Sequence, residues 1–322
     1  MTAPATPPAG APPGKRRAPT SPPSFRDGRM EASLRALELT VRGRLDGLLQ
    51  GNHLGLVPGP GSEPGDARAY QPGDDVRRMD WAVTARTTEP HVRQTVADRE
   101  LETWVVLDLS ASLDFGTASC EKRDLAIAAM AAITHLTRGG GNRIGAIVAT
   151  GEQTLRLPAR GGIAHAHTLI RRIAETPRAQ SGSRGDLAAA VEQLRRPPRR
   201  RGLAVVISDF LGDPTWERPL KALSARHELL AVEVLDPREL DLPDVGTVVL
   251  ADPESGKQRE VVTTPLLRRE FAAAAAEHRE VVARTLRRCG AAQLTLRTDS
   301  DWVGDIVRFA LARKRMWSGG GR

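Results

Sequence analysis

At 322 residues with 40% hydrophobic residues, the chain is long enough to bury a core in one large or two modest domains. With aromatic residues at only 3%, that core must be built from Leu, Val, Ile and Ala. The net charge of +8 sits at the ends: Lys15, Arg16, Arg17, Arg26 and Arg29 against Asp27, and then Arg313, Lys314, Arg315 and Arg322. The body between carries no net cationic field, so specific nucleic-acid binding is not expected. Cys120 and Cys289 form no C-x-x-C pair, and residues 1–29 contain no apolar stretch of a secretory leader. No apolar run reaches the roughly 18–20 residues that a membrane-spanning helix needs. A reduced, cytoplasmic compartment with free thiols is the expectation.

Residues 1–29 are rich in Pro, Ala, Gly and Arg and are expected to be a disordered tail, with a second flexible tail at 316–322. Leu34, Leu37, Val41, Leu45, Leu48 and Leu49 recur at spacings of three and four, which predicts an amphipathic helix over 31–49. Residues 51–75 are dense in Gly, Pro and Asp and read as loop with short strands. From Thr103 the pattern changes. Trp104-Val105-Val106-Leu107, Arg143 to Thr150, Gly202 to Ser208 and Leu229 to Leu235 are apolar runs of the kind buried on both faces of a sheet. Helical stretches alternate with them at 122–137, 163–175, 185–196 and 215–226. A hairpin over 247–250 and 258–262, a long helix over 265–288, a strand over 292–297 and a helix over 301–313 complete the chain. The alternation predicts an α/β, Rossmann-like, mainly parallel sheet with helices on both faces. It is preceded by an N-terminal helix and an irregular β/loop region, with a boundary near residue 100.

The first buried strand runs into Asp108-Leu109-Ser110-Ala111-Ser112, a D-x-S-x-S string. Ligands of open α/β sheets gather at the carboxyl ends of strands, near the topological switch point. A carboxylate and two hydroxyls there are hard oxygen ligands suited to Mg²⁺, Ca²⁺ or Mn²⁺. A second buried strand ends in Ser208-Asp209-Phe210 and brings another carboxylate to the same edge if the two strands are neighbours. The bland alternative is that Ser110 and Ser112 cap the following helix and that the two Asp residues accept backbone hydrogen bonds. The set Asp108, Ser110, Ser112 and Asp209 resembles the metal-ion-dependent adhesion site of von Willebrand factor A (vWA) domains. That resemblance implies a further Thr, and its position here falls at Gly185, with Ser183 and Asp186 nearby. A bound divalent ion and a degenerate, metal-free version of the site both stay open.

A second constellation lies upstream: Tyr70-Gln71-Pro72-Gly73-Asp74-Asp75-Val76-Arg77-Arg78-Met79-Asp80-Trp81, then Thr84-Ala85-Arg86. Opposite charges in near balance favour ion pairs within the segment, with Trp81 as an apolar anchor; an anion cradle made by the arginines is the functional alternative. With Gly51-Asn52-His53 and Gly59-Pro60-Gly61-Ser62-Glu63, this string resembles the bacterial family known as domain of unknown function 58. Its hallmark is a Y-x-P-G-D-D-x-R-x-I-D-W-x-x-x-A-R string directly upstream of a vWA-like domain; Met79 stands here at the Ile position. The resemblance implies a vWA-like domain over 101–315. It also implies pairing with a MoxR-type AAA+ ATPase in the maturation or remodelling of protein complexes, with no catalytic activity of the vWA partner itself.

Two functional readings follow. In the first, the chain is a non-enzymatic adaptor that binds protein partners at the sheet edge. In the second, it is a metal-dependent phosphoester hydrolase using Asp108 on a Rossmann-like sheet. Phosphatases of that kind carry a second Asp two residues on as general acid, and that position is Ser110. The seven histidines form no metal-binding spacing, and Arg138-Gly139-Gly140-Gly141-Asn142 lacks the Lys of a phosphate-binding loop.

Overall fold

The computed structural model describes residues 21–26, 30–48, 67–70, 79–87, 89–93, 101–137, 141–151, 153–180, 185–195, 202–252 and 255–319. Six strands form the main sheet: β3 (Glu102–Asp108), β4 (Arg143–Ala149), β5 (Thr154–Arg160), β6 (Gly202–Ser208), β7 (His227–Leu235) and β10 (Ala291–Arg297). Their order is β10-β7-β6-β3-β4-β5. All neighbours are parallel except β5, which folds back antiparallel on β4 at one edge. Numbered within this sheet alone, the strands read 3-2-1-4-5-6, the doubly wound order whose switch point lies between the first and fourth strands. Here those strands are β3 and β6.

The continuous apolar runs are explained by burial on both faces. Along β3, Val105 and Leu107 enter one core cluster, and Trp104 and Val106 enter the other. The first face is covered by α3 (Lys122–Thr137), α4 (Ile163–Ala174) and α8 (Trp302–Gly319), and the second by α5 (Leu187–Arg195), α6 (Glu217–Leu223) and α7 (Pro265–Arg288). Every residue of α3 from Lys122 to Thr134 is buried. Its run of Ala and Ile lets the helix axis sit close to the sheet, since small side chains leave little to keep the backbones apart.

Helix α1 (Met30–Leu48) shows the predicted stripe, with Leu37, Val41 and Leu45 all buried. These residues belong to the same core cluster as β3 and α3, so the expected boundary near residue 100 does not separate two cores. Arg44 clamps Asp301 at the start of α8 in a two-point guanidinium–carboxylate pair, 2.7 Å at both contacts. Residues 21–26, near the end of the expected tail, pack on the body. Pro22 is buried, Phe25 lies against the core, its N–H donates to Asp124 Oδ1 at 3.2 Å, and Arg26 pairs with Glu121. Composition averages over 29 residues and so missed one aromatic anchor at the end of the segment.

Outside the main sheet lie a small pair, β1 (Ala67–Ala69) with β2 (His91–Arg93), the short helix α2 (Trp81–Thr87) and the hairpin β8 (Thr247–Ala251) with β9 (Gln258–Val262). No helix among the described residues is long and apolar enough to cross a membrane.

Candidate functional site

Because β3 and β6 pair in parallel with Leu107 opposite Ile207, their carboxyl ends emerge side by side. Asp108, the last residue of β3, therefore faces Ser208, the last of β6. Ser208 Oγ donates to Asp108 Oδ2 at 2.8 Å and in turn accepts the Phe210 N–H at 3.1 Å. Asp108 Oδ1 accepts the Ser110 N–H at 2.9 Å. The chain then enters a single 3-10 turn, Ala111–Leu113, whose Ser112 hydroxyl lies 3.1 Å from that of Ser110. No side chain caps that turn, so the capping role considered for Ser110 is not the one it plays. Asp209 follows β6, with its Oδ1 accepting the Leu211 N–H at 3.2 Å. Asp108, Ser110, Ser112 and Asp209, read from two distant stretches of sequence, are all buried and stand together at the switch point.

The residue that sequence reasoning missed is Lys122. It opens the buried helix α3, its side chain is 0% exposed, and its ammonium donates to Asp209 Oδ2 at 2.8 Å and to Glu239 Oε1. Glu239 is held from its other oxygen, which accepts the Asp236 N–H at 3.0 Å in a reciprocal cap at the end of β7. The sequence neighbours of Lys122, which are Glu121, Arg123 and Asp124, read as a charged first turn facing solvent, so no local signal marked Lys122 as a buried charge in need of a partner. From the opposite layer, α7 reaches the same loop. Arg279 donates to the Asp209 carbonyl at 2.8 Å and to Glu233, and His278 Nε2 lies 3.2 Å from the Phe210 carbonyl. These contacts brace Phe210, a non-glycine residue at φ +52°, where a side chain is strained.

Electrostatics separate the two aspartates. Burial, with the neighbouring Asp209 charge adding to it, pushes the Asp108 carboxyl up to about 6. Burial acts on Asp209 too, but the Lys122 ammonium outweighs it and holds that carboxyl below its ordinary value. Lys122 is itself held above its usual range: burial opposes its charge, and Asp209 and Glu239 together prevail.

The geometry can be weighed against a divalent ion. All four carboxylate oxygens of the two aspartates already accept a donor from the protein. An ion ligated by Asp209 at about 2.0–2.6 Å would stand roughly 5 Å from the Lys122 ammonium. At an effective dielectric of about 20, that like-charge contact costs several kcal/mol. At the position of the expected Thr, a Cβ on Gly185 would lie 2.7 Å from Ser110 Cβ and 3.3 Å from Asp108 Oδ1. The loop has closed onto Ser110, and a ligating side chain has no room there. Asp186 does not compensate: it is exposed and caps α5 through the Ala189 N–H at 2.7 Å. Ser183 lies outside the described residues. As placed, these residues do not fit a divalent ion.

In the upstream string, Gly73, Asp74, Asp75 and Arg77 lie outside the described residues. Tyr70 follows β1, and its N–H donates to the Pro90 carbonyl at 2.7 Å. Asp80 caps α2: its Oδ1 accepts the Val83 N–H at 3.2 Å, and its carbonyl accepts the Thr84 N–H at 2.9 Å. Arg86 is exposed in the last turn of α2. Trp81 is 69% exposed, which corrects its expected role as apolar anchor. At the first position of a two-turn helix its ring projects away from the body, and Val92 of β2 is the buried apolar residue of this region.

The 3-2-1-4-5-6 strand order with an antiparallel edge strand, and a D-x-S-x-S loop beside a second Asp at the switch point, define a vWA-like domain. The family model described as "Protein of unknown function DUF58" matches residues 66–281. Over 289 residues the chain is 66% identical to Uncharacterized protein Rv1480 of Mycobacterium tuberculosis (strain ATCC 25618 / H37Rv), covering 90% of this chain and 91% of that one. It is 61% identical over 160 residues to Uncharacterized protein MAV169 of Mycobacterium avium, covering 50% of this chain and 95% of that one. This chain belongs to the DUF58 family. Among solved structures it is similar to BatB from Bacteroides thetaiotaomicron, with a TM-score of 0.42, 16% identity, and 67% of this chain and 99% of that chain covered. It is also similar to the SpRpn10 VWA domain, with a TM-score of 0.38, 10% identity, and 65% and 94% of the two chains covered.

Proposed function

We propose that the protein is a non-enzymatic vWA-like adaptor that captures a protein partner at the carboxyl edge of its sheet, the partner being a MoxR-type AAA+ ATPase. The observation that carries the reading is how the polar groups of the edge are used. Asp108, Ser110, Ser208, Asp209 and Lys122 are all buried and consume one another's hydrogen-bonding capacity. Catalysis needs an activated nucleophile with a positioned acid or base facing substrate, and no such pair stands open here. Above these groups the rim exposes Phe115 and Leu211, large apolar side chains of the kind that anchor protein interfaces. The choice of ATPase rests on the resemblance of the Tyr70–Arg86 string to its family.

The test has two arms. Co-purification of the full chain with a MoxR-type AAA+ ATPase of the native host should succeed with wild type and fail with the Phe115→Asp/Leu211→Asp double variant. A screen of the purified protein against phosphoester substrates with Mg²⁺ should stay at background. Turnover abolished in Asp108→Asn would instead establish the hydrolase reading.

A further inference from the structure

The Lys122 ammonium stands against Asp209, one of the two carboxylates of the switch point, and bridges it to Glu239. It is wholly buried, donates to both Asp209 and Glu239, and starts the helix that directly follows the D-x-S-x-S loop. A divalent ion in a vWA-type site offsets the charge of carboxylates brought from separate strands and pins their loops together. Lys122 does both here: it ties α3 to the loop after β6 through Asp209 and to the turn after β7 through Glu239. Two further observations, independent of Lys122, agree. Gly185 has closed against Ser110 where a ligating side chain would need room. Ser208 satisfies Asp108 Oδ2 directly at 2.8 Å, so that oxygen already receives a hydroxyl proton.

We infer that Lys122 is a built-in cation that replaces the divalent ion of this site, which makes the sheet edge metal-independent. A cation carried on the chain is present at every metal concentration and cannot be removed by a chelator. Nor can it offer an open coordination position to a carboxylate from a partner. Any partner must then be recognised through the rim and the backbone of the edge, so capture is insensitive to chelation. The inference concerns this chain alone and stands whether or not the adaptor reading holds.

The experiment is Mn²⁺ binding to the purified full chain, followed by the paramagnetic resonance of free Mn²⁺ and by thermal unfolding in Mg²⁺ or in EDTA at matched ionic strength. Wild type should leave the Mn²⁺ signal unchanged and melt at the same temperature in both solutions. Lys122→Ala, which uncovers Asp209 and Glu239, should take up one equivalent of Mn²⁺ and melt several degrees higher in Mg²⁺ than in EDTA. Lys122→Met/Glu239→Gln keeps only the two aspartates, disturbs the burial balance less, and should show the same gain. Stoichiometric Mn²⁺ binding by wild type that disappears in Asp209→Asn would overturn the inference. So would variants that fold yet bind no ion, or variants whose lost folding divalent ions do not rescue, because either result means that an ion cannot stand where the ammonium stands.

Discussion

Two polar-rich regions of this chain use similar residues to opposite effect. At the carboxyl edge of β3 and β6, Asp108, Asp209 and Lys122 are buried, and each side chain has fixed partners. In the β1–α2–β2 region, Asp80 is only half-buried and caps α2, and Trp81 projects outward. An Asp is one end of a buried charge clamp in the first setting, as Asp209, and caps a helix in the second, as Asp80. Burial decides the difference, since a desolvated charge must be matched by its partner whereas an exposed one has water as an alternative.

The largest expected effect comes from breaking the clamp. Lys122→Met leaves Asp209 and Glu239 without their counter-charge in a buried setting, and should cost about 3–5 kcal/mol at neutral pH. Urea unfolding should show the loss as a lower midpoint with an unchanged slope.

A second variant sharpens the comparison from the other side. Asp108 titrates at about 6 instead of its ordinary 3.8, so the native state holds this proton more tightly than the unfolded chain does. The stability it contributes is complete below pH 3.8 and is lost as pH rises through 6. Asp108→Asn keeps an acceptor for the Ser110 N–H and removes the charge. It should therefore gain on wild type between pH 4 and 6.5 and hold a constant advantage above that, up to about 3 kcal/mol. A stability difference that does not change with pH would mean that Asp108 is not the group that burial perturbs.

The smallest effects belong to the exposed region. Asp80→Ala removes the cap of α2 and should cost about 1 kcal/mol. Trp81→Ala should fall within about 0.5 kcal/mol of wild type in thermal unfolding, as surface substitutions do. A loss at Trp81 as large as that at Lys122 would erase the contrast between the two regions.

The strands and helices were legible because each carries its own period: apolar runs for strands buried on both faces, three-and-four spacing for α1, and an Ala-rich stretch for α3. The placement of Asp108 and Asp209 at one edge of the sheet was legible as well, from two buried strands that each run into a carboxylate. What stayed hidden depends on distance along the chain. Lys122 meets Asp209 across 87 residues and Glu239 across 117, and Phe25 meets Asp124 across 99. No local pattern records which carboxylate a buried ammonium will find.

By itself the sequence determined the α/β alternation, the D-x-S-x-S loop, the family string and the confinement of net charge to the ends, because these are properties of neighbouring residues and of composition. Only the tertiary structure decided that Trp81 faces solvent, that α1 shares the core of the sheet and that Gly185 closes on Ser110. It also decided that a lysine stands among the carboxylates of the switch point. Whether a polar residue is a ligand, a cap or half of a buried pair is set by what else occupies the same few ångströms, and packing alone brings those groups together.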